Sequence, residues 1–273
     1  MENKRPIRRL VVKFGTTNLC DKSSGLLSDD IIRGFVRQIV EARDSGIEVL
    51  VVSSGAIKAG REALKNVAGI KKRHFGKKEL AGIGSRHLLD MWGRAFSYFY
   101  SEVAQVWVTY GNWESVGERK SIKSSILNCA KKKIIPVINE NDVVSSEEIE
   151  LMDSRISEND RLARMVAFLT NADAVLFLTE EGGIYNGDPK INSDAKMYEE
   201  ISVFARPEEI GISNGVSEGG TGGMAAKLKE ASLCAKKGMR VAIAGNEREV
   251  IIRFVKGESV GTKIGAENRL KEK

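Results

Sequence analysis

Six short apolar runs, each stopping at a small or polar residue and each separated from the next by enough chain for a helix, constrain this sequence most strongly. They are LVVKFG (10–15), IEVLVVSSG (47–55), VAQVWVT (103–109), IIPVIN (134–139), AVLFLT (174–179) and RVAIAG (240–245). Unbroken apolar strands alternating with helices require a mostly parallel sheet covered on both faces. The first intervening segment reads clearly as a helix. Ser28 can cap it, and Asp29 and Asp30 occupy its first turn, where the helix dipole favours negative charge. Ile31, Ile32, Phe35, Val36, Ile39 and Val40 then recur at helical spacing, and Gly46 ends the run. Further helices are expected near 77–100 and 118–132, after SEND (157–160), and from GTGGM onward.

Composition narrows the function classes. The 273 residues suffice for one large α/β domain or two intimate lobes. The formal charge of +6 suits anionic small molecules, and its densest runs, 71–78 and 131–133, read as solvated faces or a loop. Cys20, Cys129 and Cys234 are far apart, and only His74 and His87 could add imidazole ligands, which argues against a zinc site. The odd cysteine count and the lack of a signal peptide point to a cytoplasmic location. No apolar run approaches the roughly 20 residues that span a bilayer.

In parallel α/β sheets, ligands bind beyond the strand carboxyl ends. Lys13 and Gly15 stand at the first such end, Ser53, Ser54 and Gly55 at the second. Asn139, Glu140, Asn141 and Asp142 follow IIPVI, and Thr179 and Glu180 follow AVLFL. A lysine within an apolar strand is either paired in the interior or snorkels from an edge strand. The two Asn-Asp pairs, in NEND and SEND, fit helix caps or oxygen ligands for magnesium. GTGGMAAK (220–227) opens a helix without the P-loop spelling. It is either a Gly-rich helix start or an anion cradle, with Lys227 a turn inside and able to reach back.

Taken in order, VVKFGTTNL, VVSSGAIKAGRE, IIPVINENDVV, ENDRLARMVA, LTEEGGIYNGDP, GTGGMAAKLKEA and ESVGTKI resemble the glutamate kinase branch of the amino acid kinase family over nearly the whole chain. The resemblance implies an open αβα sandwich, with an amino-acid-binding lobe at about 1–168 and a nucleotide-binding lobe at about 169–273. It implies ATP-dependent phosphorylation of the L-glutamate side-chain carboxylate, as the first step of proline biosynthesis, with Mg2+. Lys13 and Lys227 would contact the phosphates and the phosphoryl group in flight, and Asp160 would organise both lysines. Ser54, Asp142 and Asn159 would bind glutamate, with Asp142 on its ammonium. Gly15 and Gly55 would admit phosphates close to the backbone, while Thr179, Glu180, Thr221, Gly222, Gly223, Met224, Ala225, Ala226 and Lys227 would line the nucleotide site. No protein-derived metal ligand is assigned. A homo-oligomer, dimer or tetramer, is implied, with no membrane or nucleic-acid partner. The RNA-binding-like PUA domain of many relatives is not expected here.

Several positions depart from the family pattern. Ser157-Glu158 replaces Gly-Asp, ELMDSRIS lengthens the interval between Asp142 and Asp160, and Glu180 replaces an aspartate. GSRHLL (84–89) and SIKSSIL (121–127) also differ. These changes bear on acceptor selectivity and proline feedback. They keep two alternatives in view: a related kinase for another small anionic acceptor, and a non-catalytic amino-acid-binding regulator.

Overall fold

In a computed structural model, residues 6–65, 67–69, 73–144, 158–189, 191–212, 223–265 and 271–272 are described. The first strand, β1 (Arg9–Phe14), leads through a single 3-10 turn into α1 (Asp29–Asp44). The Ser28 hydroxyl accepts from the Ile31 N–H at 3.4 Å, and Ile32, Phe35, Val36 and Ile39 face inward. Gly46, at φ 96°, turns the chain into β2 (Glu48–Ser53). Next come α2 (Ala56–Leu64), α3 (Lys77–Ser97), β3 (Val103–Val108), α4 (Tyr110–Glu114), α5 (Val116–Lys131) and β4 (Ile135–Glu140). The second half holds α6 (Glu158–Thr170), β5 (Ala174–Leu178), β6 (Tyr198–Ser202), α7 (Met224–Lys236), β7 (Arg240–Ala244), α8 (Val250–Lys256), β8 (Thr262–Gly265) and β9 (Lys271–Glu272).

The strands form one nine-stranded sheet in the order β3-β4-β2-β1-β5-β7-β8-β6-β9. All pairs are parallel except β7 with β8 and β6 with β9. The expected parallel sheet is therefore present, and the six apolar runs are β1, β2, β3, β4, β5 and β7. The strands before residue 141 fill one side of the sheet and those after residue 173 the other. The order reverses between β1 and β5, which makes their carboxyl ends the natural crevice.

Strand alternation splits the core in two. Leu10, Val12 and Phe14 point toward α1, α3 and α8, and Phe14 meets Phe35 and Trp92 edge-on at 5.0 and 5.1 Å. Val11, Leu50, Val52 and Phe177 point toward α5, α6 and α7. Lys13 continues the second set, so it faces α6 and α7. It lies on a central strand between Val52 of β2 and Phe177 of β5, which rules out an edge lysine that snorkels.

The pair α2 and α3 fixes the loop after β2. A Cβ at Gly84 would sit 1.8 Å from the Ala56 carbonyl oxygen, and one at Gly60 would sit 2.0 Å from that of Leu80. The two backbones thus touch where no side chain fits. Gly84 opens the variant stretch GSRHLL, so its role there is packing against the start of α2.

Candidate active site

Three charged side chains meet beyond the carboxyl ends of β1 and β5. Lys13 comes from β1, Asp160 from the first turn of α6 and Lys227 from the first turn of α7. The Lys13 Nζ lies 2.8 Å from Asp160 Oδ1, and the Lys227 Nζ lies 2.9 Å from both carboxylate oxygens. Relative exposures are 3% for Lys13, 0% for Asp160 and 7% for Lys227. Two ammonium groups against one carboxylate leave one buried positive charge in surplus. A buried charge requires a partner, so the geometry favours an arriving anion.

The titration of these groups follows from their burial. Burial pulls Lys13 down, Asp160 offsets part of that, and Lys227 adds to it; the net is a fall from 10.5 to about 8. Burial pushes the Asp160 carboxyl up, but the two ammonium groups outweigh it and hold Asp160 down at about 2. Asp160 also sits at a helix N-terminus, which favours its charged form.

The acceptor side of the crevice is built differently. The Asn159 amide donates to the Ser54 hydroxyl at 2.9 Å, linking the start of α6 to the end of β2. Its Oδ1 is buried without a hydrogen-bond partner among the described residues. The Oδ1 of Asn139 is in the same condition beside Ser53, Ser85 and Trp107. Gly55, at φ 115°, begins α2 in a conformation that glycine adopts without strain. Asp142 is half-buried in the turn after β4. NEND is thus not a helix cap: Asn139 and Glu140 lie within β4, and 141–144 form a turn. In SEND, Asn159 spends its amide on Ser54.

On the nucleotide side, Thr179 is buried, and its hydroxyl donates to Glu181 at 2.5 Å. Glu180 is exposed beside it. Gly223 precedes α7, and the N–H groups of Ala226 and Lys227 bond back to its carbonyl at 3.1 and 3.3 Å. Met224 and Ala225 are partly buried, and Ala226 is buried. Thr221, Gly222, Ser157 and the ELMDSRIS stretch lie outside the described residues.

Gly15 shows what residue-by-residue reasoning missed. Its N–H donates to Asn18 Oδ1 at 3.0 Å, and an added Cβ would approach that oxygen to 2.9 Å. The Asn18 amide donates to the Thr179 carbonyl at 3.0 Å and to Asn246 Oδ1 at 2.7 Å. Asn246 donates back to the Asn18 carbonyl at 2.8 Å. This exchange ties together the ends of β1, β5 and β7. Asn18 sits in the 3-10 turn after β1 and its partners Thr179 and Asn246 are far along the chain, so no local pattern announces it.

Among the described residues, no group of three or more His, Cys, Asp or Glu side chains could hold a metal. Nor is any of their helices long and apolar enough to cross a membrane.

This site at a sheet reversal coincides with a family assignment: residues 8–245 match the amino acid kinase family, and the chain belongs to it. More particularly, it is similar to proteins named glutamate 5-kinase. The one from Herpetosiphon aurantiacus is 35% identical over 94% of this chain and 68% of its own length. That from Caldanaerobacter subterraneus is 36% identical over 93% of this chain and 67% of its own. That from Methanosarcina acetivorans is 31% identical over 98% and 70%. Among solved structures, UMP kinase from Bacillus anthracis superposes with a TM-score of 0.63 at 18% identity, covering 97% of this chain and 99% of that one. At that identity the likeness speaks for the fold alone.

Proposed function

We propose that the protein transfers the terminal phosphoryl group of ATP to the side-chain carboxylate of L-glutamate, giving L-glutamyl 5-phosphate, the first committed product toward proline. The observation that carries this reading is the buried surplus charge of Lys13, Asp160 and Lys227 at the strand ends. Its company is a chain about a third identical to glutamate 5-kinases.

The chemistry suits the residues present. The acceptor carboxylate has an ordinary pKa of about 4.3 and is ionised at neutral pH, so no general base is needed. One of its oxygens forms the new bond to phosphorus while the bond to the ADP oxygen breaks. The obstacle is anion meeting polyanion, and phosphoryl transfer is mostly positioning and electrostatic stabilisation. Lys13 and Lys227 supply charge at the transferring group, and Asp160 holds the two ammonium groups close together. Mg2+, when bound, would supply further positive charge against the phosphates, and such an ion usually relies on substrate phosphates and water for most of its ligands.

Ser54, Gly55, Asp142 and Asn159 make up the acceptor pocket, with Asp142 on the substrate ammonium. Gly15, Thr179, Glu180 and the segment from Thr221 to Lys227 line the nucleotide site. The amino-acid lobe is about 1–168 and the nucleotide lobe about 169–273. Free thiols at Cys20, Cys129 and Cys234 accord with a cytoplasmic enzyme. We also expect a dimer or tetramer, to be read from sedimentation equilibrium.

The test is acyl-phosphate trapping. The protein is incubated with Mg-ATP, hydroxylamine and a panel of small acids. Glutamate-dependent hydroxamate supports the proposal. Turnover with another acid alone assigns a different acceptor, and glutamate binding without turnover assigns a regulator.

A further inference from the structure

The contact between α6 and α7 carries a second ion pair that the proposed chemistry does not use. One turn beyond Asp160, Arg164 points the same way from α6; one turn beyond Lys227, Glu230 does so from α7. The Arg164 Nε donates to Glu230 Oε2. The Glu230 side chain is 2% exposed and that of Arg164 is 19% exposed. The guanidinium lies over the Phe168 ring at 5.4 Å, which holds it from one side. Cys234 lies a further turn along α7, and burial pushes its thiol up to about 12, consistent with a dry contact.

The two rungs are opposite in sense. On α6 the acid comes first and the base second; on α7 the base comes first and the acid second. Sliding or rotating α7 by one turn would set Lys227 or Glu230 against a group of its own sign or against none. An apolar contact tolerates such slippage because it lacks direction, whereas a buried, geometrically fixed pair does not.

We propose that Arg164 and Glu230 are positioning residues that set the register of α7 on α6 and thereby hold the Lys227 ammonium at Asp160 and beside Lys13. This rests on the reading of Lys227 as a phosphoryl-transfer group. The pair acts across the two halves of the sheet, since α6 precedes the order reversal and α7 follows it.

Two variants of the full chain test this, each measured for kcat, KM for ATP, KM for glutamate and urea midpoint. Glu230→Gln breaks the pair; kcat is expected to fall about 10-fold or more, because a displacement of about 1 Å can cost 10²-fold. KM for glutamate is expected to stay within about twofold, since Asn159 and Ser54 are untouched. Arg164→Leu/Glu230→Leu removes both charges and fills the contact with apolar groups, which commonly preserves stability. Its urea midpoint is expected to match the parent while kcat stays low. A double variant with parental kcat would overturn the proposal, because stability without direction would then suffice. Lys227→Ala is run alongside: if it keeps parental kcat, the transfer reading fails and the positioning proposal with it. If it loses activity while the double variant does not, only the positioning proposal fails.

Discussion

Lys13, Asp160 and Lys227 pair with one another within 2.9 Å, whereas close by Asn159 and Asn139 each hold a buried oxygen without a partner among the described residues. Both regions lie at the carboxyl edge of the same sheet. The first is organised by its own ions, so it can be rigid before any substrate arrives. The second is organised by backbone and by one amide-hydroxyl bond, and its acceptors are left for a ligand's donors. On the proposed reading, the contrast would assign the rate of transfer to the charged cluster and the affinity for the acceptor to the amide side. That division predicts how variants separate kcat from KM.

The largest effect should come from Lys227→Ala, which on the proposed reading removes a charge that would strengthen its hold as the phosphoryl group moves. We expect kcat to fall by about 100-fold or more, with KM for glutamate little changed, measured by hydroxamate formation. An equal loss in both constants would merge the two regions. Asp160→Ala should also cost about 3–5 kcal/mol of stability, because it strands two buried ammonium groups, read as a drop in urea midpoint.

The pH dependence is the next test, and its two readouts move in opposite directions. Lys13 titrates at about 8 in the folded chain against 10.5 ordinarily, so between those values the unfolded chain binds more protons. Stability attributable to this group therefore rises across that window, where the folded chain has shed the proton. Over the same window kcat/KM for ATP should fall, because a neutral amine no longer stabilises the phosphoryl charge. Asp160 works at the other extreme: its pKa drops from 3.8 to about 2, so the stability it contributes is present above 3.8 and lost as pH falls through about 2. A kcat/KM for ATP that held flat through pH 8 to 10 would detach Lys13 from the transfer step.

A smaller effect is expected on the amide side. Asn159→Ala should raise KM for glutamate about 10-fold, corresponding to roughly 1.4 kcal/mol of lost binding, with kcat within about threefold. A kcat collapse in that variant would place Asn159 in the charged cluster instead.

Much of this arrangement was legible in the sequence, because strands buried on both faces write themselves as continuous apolar runs. Ser28, Asp29 and the spacing from Ile31 to Val40 marked α1 to within a residue of its observed start. Of the elements that escaped, three show why. Helix α2 spans only nine residues and contains Gly60, and its stability comes from the backbone contact with α3, which no local pattern encodes. Strand β6, Tyr198–Ser202, lies next to the edge of the sheet and contains Glu199 and Glu200, so it lacks an apolar run. Strand β8 is four residues long and antiparallel to β7, outside the alternating rule. In the site, Lys13 stood out because a charge within an apolar run is rare. Asn18, Asn246 and the Arg164–Glu230 pair did not, because each is defined only by a partner distant in sequence.

The most direct measurement of the central claim follows an oxygen atom. Glutamate labelled with oxygen-18 only in its side-chain carboxylate is turned over with unlabelled Mg-ATP, and the acyl phosphate is cleaved by hydroxylamine at its carbonyl carbon. Phosphorus NMR of the released phosphate should then show a single oxygen-18, carried over as the bridging atom from the acceptor. Phosphate free of label, at the same extent of ATP consumption, would mean that the phosphoryl group never reached that carboxylate and would contradict the account.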